Sequence, residues 1–221
     1  TNAVRSVGTF RDSMLVSVVA ARFVNRDQNV IVQAAGAVGA LGGSRAVAML
    51  SERFGQPGTF AVRRAVLQAL ASAAPAAAPA RGLPWKTDGD WRMRGAYAEM
   101  LGIAATPEAQ GELVAMADDA DARVVAQALA ALRQAAPAGD TTLHRLAVAH
   151  LDHADAVVRS SAIDILGRER DPALLPAFVA AYRRAAREEL NDARLSAVDA
   201  IGQIAAVSPA ARQRAEREFL A

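Results

Sequence analysis

The chain has no cysteine, a single lysine and few aromatic residues. Without cysteine it forms no disulfide, offers no thiolate and builds no cysteine-type zinc site, which leaves the redox compartment open. Aromatic residues make up 5% of the chain against 52% hydrophobic residues overall, so any core is aliphatic and rich in alanine, as in closely stacked helices. No run of alternating β-branched residues bounded by turns occurs, and no sheet is expected. The apolar run that begins at Met14 is cut at Arg22, too early for a membrane span, and nothing resembles a signal peptide. No G-x-S-x-G, H-E-x-x-H or P-loop pattern is present. The net charge is only +2 although the isoelectric point is about 9.6, and a charge of that size is not by itself a nucleic-acid footprint.

What the chain does contain is a repeated helix. DAVVRSSAIDILG runs from Asp155 to Gly167. On a wheel of about 100° per residue, Val158, Ala162 and Leu166 fall within about 60° of Asp155. Arg159 falls inside that apolar arc. An unpaired buried charge is costly, so Arg159 requires an acceptor. Its own helix offers little on that side, which points to a carboxylate or carbonyl of an adjacent repeat, through Asp121 or Asp155.

Copies of that element recur along the chain. Counted from an anchor residue, the pattern is apolar at +3, Arg at +4, small or apolar at +7, aliphatic at +11 and Gly at +12. It starts at Asp27, Thr59, Asp90, Asp121, Asp155 and Leu190, at spacings of 32, 31, 31, 34 and 35 residues. A near-constant period over most of the chain marks a solenoid. Second helical segments lie between the copies: Ser44–Phe54, Pro107–Met116, Thr141–Leu151 and Pro172–Arg187. Thr106-Pro107 and Asp171-Pro172 have the form of an N-cap followed by proline. Asp27, Asp90, Asp121 and Asp155 suit the N-cap of each repeat helix, and the +12 glycines are expected to close those helices.

The D-x-x-V-R-x-x-A-x-x-x-L-G pattern, held best at Asp155–Gly167 and Asp90–Gly102, resembles the HEAT-repeat family in its short bacterial form. The resemblance covers roughly residues 10–220. It implies an all-α, α-α superhelix of about six helix pairs, one of them degenerate, over residues 1–221. It also implies a ladder in which Asp90, Asp121 and Asp155 meet Arg63, Arg94, Arg159 and Arg194. Ile31 and Val125 stand where that ladder needs Arg, and Thr59 and Leu190 where it needs Asp. Such repeats host many functions, so the family implies little about activity.

Candidate contact residues come from two places. The +9 positions lie opposite the anchor, on the face expected to be concave: Gly36, Gln68, Glu99, Ala130, Asp164 and Asp199. Glu99, Asp164 and Asp199 with no base among them argue against a phosphate-binding groove. The rhythm breaks at residues 75–89, where PAAAPARGLPWKTDG stands in place of a helix. Pro75, Pro79 and Pro84 interrupt any long helix there. The segment carries Lys86, the only lysine, and Trp85, with Trp91 just beyond. It reads either as a binding loop with aromatic anchors or as a plug in which Leu83 and Trp85 fold back over the exposed repeat face.

His150 and His153, near Asp152 and Asp155, lack a third ligand at a clear spacing, so no metal site is expected. Glu188-Glu189 and Asp118-Asp119 read as solvated surface. No catalytic residue and no cofactor are expected. The chain opens on TNA without methionine and reads as a fragment of a longer protein, cytoplasmic or exported.

Three functions fit. One is a monomeric, non-catalytic scaffold for a protein partner, with no nucleic acid bound and no membrane insertion. The second is an accessory module of a larger enzyme, because short Ala/Arg-rich repeats of this kind resemble those preceding a cyclophilin-like prolyl isomerase domain in some bacterial proteins. The third is a HEAT-like DNA-repair glycosylase, which needs a basic, aromatic concave face that the +9 row does not provide.

Overall fold

The computed structural model describes residues 14–137, 139–188 and 191–220. The anchor Leu190 and residues 10–13 of the repeat span lie outside them. The described chain is all helical and contains no strand. It divides into two compact units, Thr1–Glu112 and Leu113–Ala221.

In the first unit, residues 14–20 are helical (α1). They are followed by α2 (Gln28–Leu41), α3 (Gly43–Gly55), α4 (Phe60–Ala73), the short α5 (Ala78–Gly82) and α6 (Trp91–Ala104). Helix α7 (Pro107–Met116) carries the division between the units. The second unit continues with α8 (Ala122–Ala135), α9 (Thr141–His150), α10 (Ala156–Gly167), α11 (Leu175–Ala185), α12 (Asp192–Ala205) and α13 (Pro209–Leu220).

The repeat helices stack on one another in each unit: α2 on α4 and α4 on α6 in the first, α8 on α10 and α10 on α12 in the second. The intervening helices pair with them: α3 packs on α2 and α4, α9 on α8 and α10, and α11 on α12. The apolar +3, +7 and +8 positions place Val62, Val66 and Leu67 in the first core and Val158, Ala162 and Ile163 in the second, all at most 1% exposed. Each of the buried valine, leucine and isoleucine side chains contributes about 1.5–3 kcal/mol.

The helix starts follow the sequence. The carboxylates of Asp27, Asp90, Asp121 and Asp155 accept from backbone N–H groups two residues on, and Asp155 also from Val158. Each answers an orphan donor of the first turn. Thr106 Oγ1 accepts from Ala109 N at 3.2 Å. Asp171 caps a 3-10 turn, Pro172–Leu174, which leads into α11. Thr59 caps nothing with its side chain; its hydroxyl lies 2.7 Å from Gln28 Oε1 instead.

The helix ends do not. Gly39, Gly102 and Gly202 lie inside α2, α6 and α12, and Gly167 is the last residue of α10. Their shared position serves packing rather than capping in two of the four. A Cβ on Gly39 would stand 2.8 Å from Ala69 Cα, and one on Gly167 would stand 3.1 Å from Ala200 Cβ. These glycines let successive repeat helices approach until backbone meets backbone.

That difference predicts opposite outcomes for two substitutions in one helix. Gly39→Ala forces α2 and α4 apart and is expected to lower stability by about 1–3 kcal/mol. Gly36→Ala, whose Cβ meets nothing within 4 Å, is expected to raise it by up to about 1 kcal/mol through helix propensity. Urea melts of the two variants check this.

Candidate functional site

Within each unit the +9 positions share a face of the repeat helices, and in the first unit Gln68 and Glu99 are tied together. Glu99 on α6 is gripped from α4 by Arg64, with Nε 2.6 Å from Oε2 and Nη2 2.8 Å from Oε1. Gln68 Nε2 adds a third bond at 3.0 Å. Two parallel N–H bonds to one carboxylate fix its orientation as well as its charge. The face therefore carries a base that the +9 row alone did not reveal, because Arg64 reaches it from position +5. In the second unit Asp164 is half-buried on α10 and Asp199 is exposed on α12. Among the described residues no hydrogen bond or ion pair engages the side chain of either one.

The break at residues 75–89 is mostly a plug. It folds as two 3-10 turns, Pro75–Ala77 and Leu83–Trp85, on either side of α5. Each proline stands where its missing N–H costs least, in the first turn of its element. Trp85 is 3% exposed. Its ring lies 5.7 Å from that of Phe54, and the Arg63 guanidinium sits 5.0 Å from its centroid. Trp85 is thus unavailable to a partner. Leu83, which was expected to fold back with it, is exposed. Lys86 pairs with Glu112 at 2.6 Å. Trp91 is half-buried at the start of α6.

Arg63, Arg159 and Arg194 settle on other partners than the aspartates named for them. Arg63 goes to Trp85, because the broken repeat leaves an aromatic face beside it. Arg194 lies over Tyr182, 5.2 Å from the ring centroid, with Nη2 3.2 Å from the phenol oxygen. Arg94 donates to Asp88 O at 2.7 Å. Arg159 is 2% exposed, as its place in the apolar arc requires. It donates to the carbonyls of His153 at 2.7 Å and Ala154 at 2.8 Å, and it pairs with Glu188. Neither Asp121 nor Asp155 is its counterion. Asp155 is occupied by its own helix's N–H groups, and Glu188, read from sequence as solvated surface, supplies the charge. Asp90 is held by Arg92, whose side chain and then backbone N–H keep its carboxyl below the usual carboxylate range.

The histidines turn toward the protein. His150 Nδ1 lies 2.8 Å from Leu146 O and Nε2 3.1 Å from Ala117 O. His153 Nδ1 accepts from Asp155 N–H at 3.0 Å, and His144 Nδ1 lies 2.9 Å from Glu169 Oε2. Among the described residues no three His, Asp or Glu side chains gather as metal ligands, and no helix is long and apolar enough to cross a membrane.

No family model and no curated protein matches this chain. Solved structures match in fold. Human deoxyhypusine hydroxylase, in complex with glycerol, is similar at 16% identity with a TM-score of 0.50, over 97% of this chain and 98% of that one. The complex of CpcE and CpcF of phycocyanin lyase from a Nostoc species gives 17% identity and a TM-score of 0.53, over 92% and 93%. The likeness is one of stacked helix pairs, in agreement with the HEAT-like repeat architecture.

Two outcomes follow from the buried polar groups. Arg159→Ala is expected to lower stability by about 1–3 kcal/mol, since two carbonyls and Glu188 lose their donor. Asp121→Asn should leave the Arg159 site untouched, and denaturant melts of both variants check the assignment. Burial, with the nearby Glu112 charge adding to it, pushes the Tyr97 phenol up to about 12 from 10.0. The folded state then keeps a proton that the unfolded chain gives up. The stability owed to neutral Tyr97 is complete below about pH 10 and is lost as pH rises toward about 12. Ultraviolet titration of phenolate, alongside melts at alkaline pH, reads both effects.

Proposed function

We propose that the chain is a non-catalytic scaffold that binds another protein through the +9 positions of the repeat helices in each of its units. The observation that carries this reading is the state of the carboxylates at those positions. Glu99 is pre-set by Arg64 and Gln68 across two repeats, whereas Asp164 and Asp199 have no partner among the described residues. The fixed polar groups of the first unit suit recognition because little ordering is left to be done on binding, and the unused carboxylates of the second suit a partner's basic side chains. Helix-borne positions hold such groups more rigidly than a loop does. Trp85 and Lys86 are engaged within the fold, so the break contributes at most Trp91, at its edge.

The test is affinity capture from the source cells with the intact chain and three charge reversals. Asp164→Arg and Asp199→Arg are expected to lose the captured protein by at least about tenfold. Glu108→Arg, exposed on α7 away from the +9 row, should retain it. A captured protein held equally by all three, or none held by the intact chain, overturns the reading.

A further inference from the structure

Four repeat helices begin with the same two side-chain acceptors. The anchor carboxylates of Asp27, Asp90, Asp121 and Asp155 accept from the N–H two residues on. The anchors' own N–H groups donate to a side chain two residues back, that of Asn25, Asp88, Asp119 or His153, at 2.8–3.0 Å. Helix α4 has neither acceptor. Pro57 stands two residues before its anchor and offers no side-chain oxygen or nitrogen. The Thr59 hydroxyl donates to Gln28 Oε1 and caps nothing. From residue 58 to residue 62, no backbone N–H meets an acceptor among the described residues. A second feature points into this turn. Arg53, in the last turn of α3, is 6% exposed, yet no carboxylate pairs with it among the described residues. Glu52, its sequence neighbour, is exposed and makes no bond to it. Arg53 Nη1 donates to Pro57 O at 3.3 Å, its buried Nε has no acceptor, and Nη2 donates to no described group. A Cβ on Gly58 would stand 3.2 Å from Nη2 and 3.4 Å from Val62 Cγ1. The guanidinium therefore lies directly against the stretch of free N–H groups.

We infer that the turn at residues 57–61 binds a small oxyanion, a phosphate or carboxylate group, in the place of the two acceptors that the other repeats carry as side chains. One oxygen accepts from the Thr59 N–H, as Asp88 accepts from Asp90 in α6, and another from the Ala61 N–H, as Asp90 accepts from Arg92. Arg53 Nη2 supplies the opposite charge. Orphan N–H groups at a helix start carry partial positive charge and favour an anion. A guanidinium out of water without a counterion adds to that demand. Where Arg159 is buried, Glu188 answers it from within the chain; Arg53 has no such answer. Gly58 and Ala61 are exposed, so a ligand reaches the turn from solvent, and the missing Cβ of Gly58 leaves Nη2 open to it. The site lies apart from the +9 positions and does not depend on the partner proposed for them.

Amide NMR spectra of the intact, isotope-labelled chain test this, with sodium phosphate and sodium acetate each compared with sodium chloride at matched ionic strength. The Thr59 and Ala61 amide signals are expected to move and to saturate in the millimolar range. Saturation by phosphate alone assigns the site to phosphoryl groups; saturation by acetate, with or without phosphate, assigns it to carboxylates. Thr59→Asp supplies the carboxylate that the other anchors carry. It is expected to raise the melting temperature in chloride alone and to weaken the oxyanion response by at least about tenfold. Arg53→Gln keeps a donor for Pro57 O without the charge and is expected to weaken the response to a similar degree. Should that variant fail to fold, Thr59→Asp decides by itself. Equal movement of the two signals with chloride, no movement at any concentration, or an undiminished response in Thr59→Asp or in folded Arg53→Gln overturns the inference.

Discussion

Everything in each unit depends on how closely one repeat helix can approach the next. Side chains normally hold helix axes about 8–10 Å apart. Where Gly39 faces Ala69 and Gly167 faces Ala200, one partner has no side chain and the other only a methyl. The helices close until the backbone itself is the contact surface. An aliphatic, alanine-rich core follows from that spacing, because little room is left for aromatic rings between the layers. Of the large rings that are fully or nearly buried among the described residues, Phe178 lies on α11, outside the layer of repeat helices, while Tyr97 and Trp85 belong to the neighbourhood of the broken repeat, where a regular helix is missing and space is left over. Tyr97 reaches across it to donate to Pro79 O at 3.1 Å.

Close stacking creates a second problem, at the turns into the repeat helices. In three repeats the carbonyl two residues before the anchor takes part in a part-buried hydrogen bond. An arginine is the donor in each: Arg53 at Pro57 O, Arg94 at Asp88 O and Arg159 at His153 O. The last two come from position +4 of the repeat helix itself. The first comes from the preceding helix, because Arg63, the +4 residue there, has been drawn onto Trp85. A guanidinium suits the task, since it is planar, keeps its charge and offers several donors at once. Its role is to tie the turn to the helix below it. The carboxylate that neutralises it is taken from whatever segment lies near, and for Arg159 that is Glu188.

This explains which parts of the architecture were legible in the sequence. The repeat period, the aspartate N-caps and the burial of Arg159 follow from local rules that each repeat satisfies by itself. The glycine at +12 was visible as a recurring residue but carries two meanings. Helix closure needs a left-handed φ, and close packing needs the absence of a Cβ; the pattern cannot distinguish them without knowing what lies opposite. Counterions were illegible for the same reason. Glu188 and Arg64 lie 29 and 35 residues in sequence from the groups they meet, at positions where the repeat pattern specifies nothing. Among the proposed contact residues, Glu99 was found by its place on the wheel, while the fate of Trp85 depended on a gap that only the packed unit reveals.

The broken repeat also bears on where recognition can occur. A solenoid that loses a helix exposes apolar surface on both neighbours, and the chain must cover it or pay in solubility. Here the covering is done with short turns, α5 and one indole, and the prolines that forbid a regular helix also restrict the unfolded alternatives of the segment. Its most distinctive side chains are consumed in that repair: Trp85 by Phe54 and Arg63, and Lys86 by Glu112. An irregular, residue-rich segment is therefore a poor guide to function in a repeat protein, because irregularity is what a missing helix demands. Regular positions left unsatisfied are more informative. Asp164 and Asp199 each occupy a place whose equivalents in the other repeat helices are paired or neutral, and a side chain that departs from its own repeat without an internal reason is where the search for a contact begins.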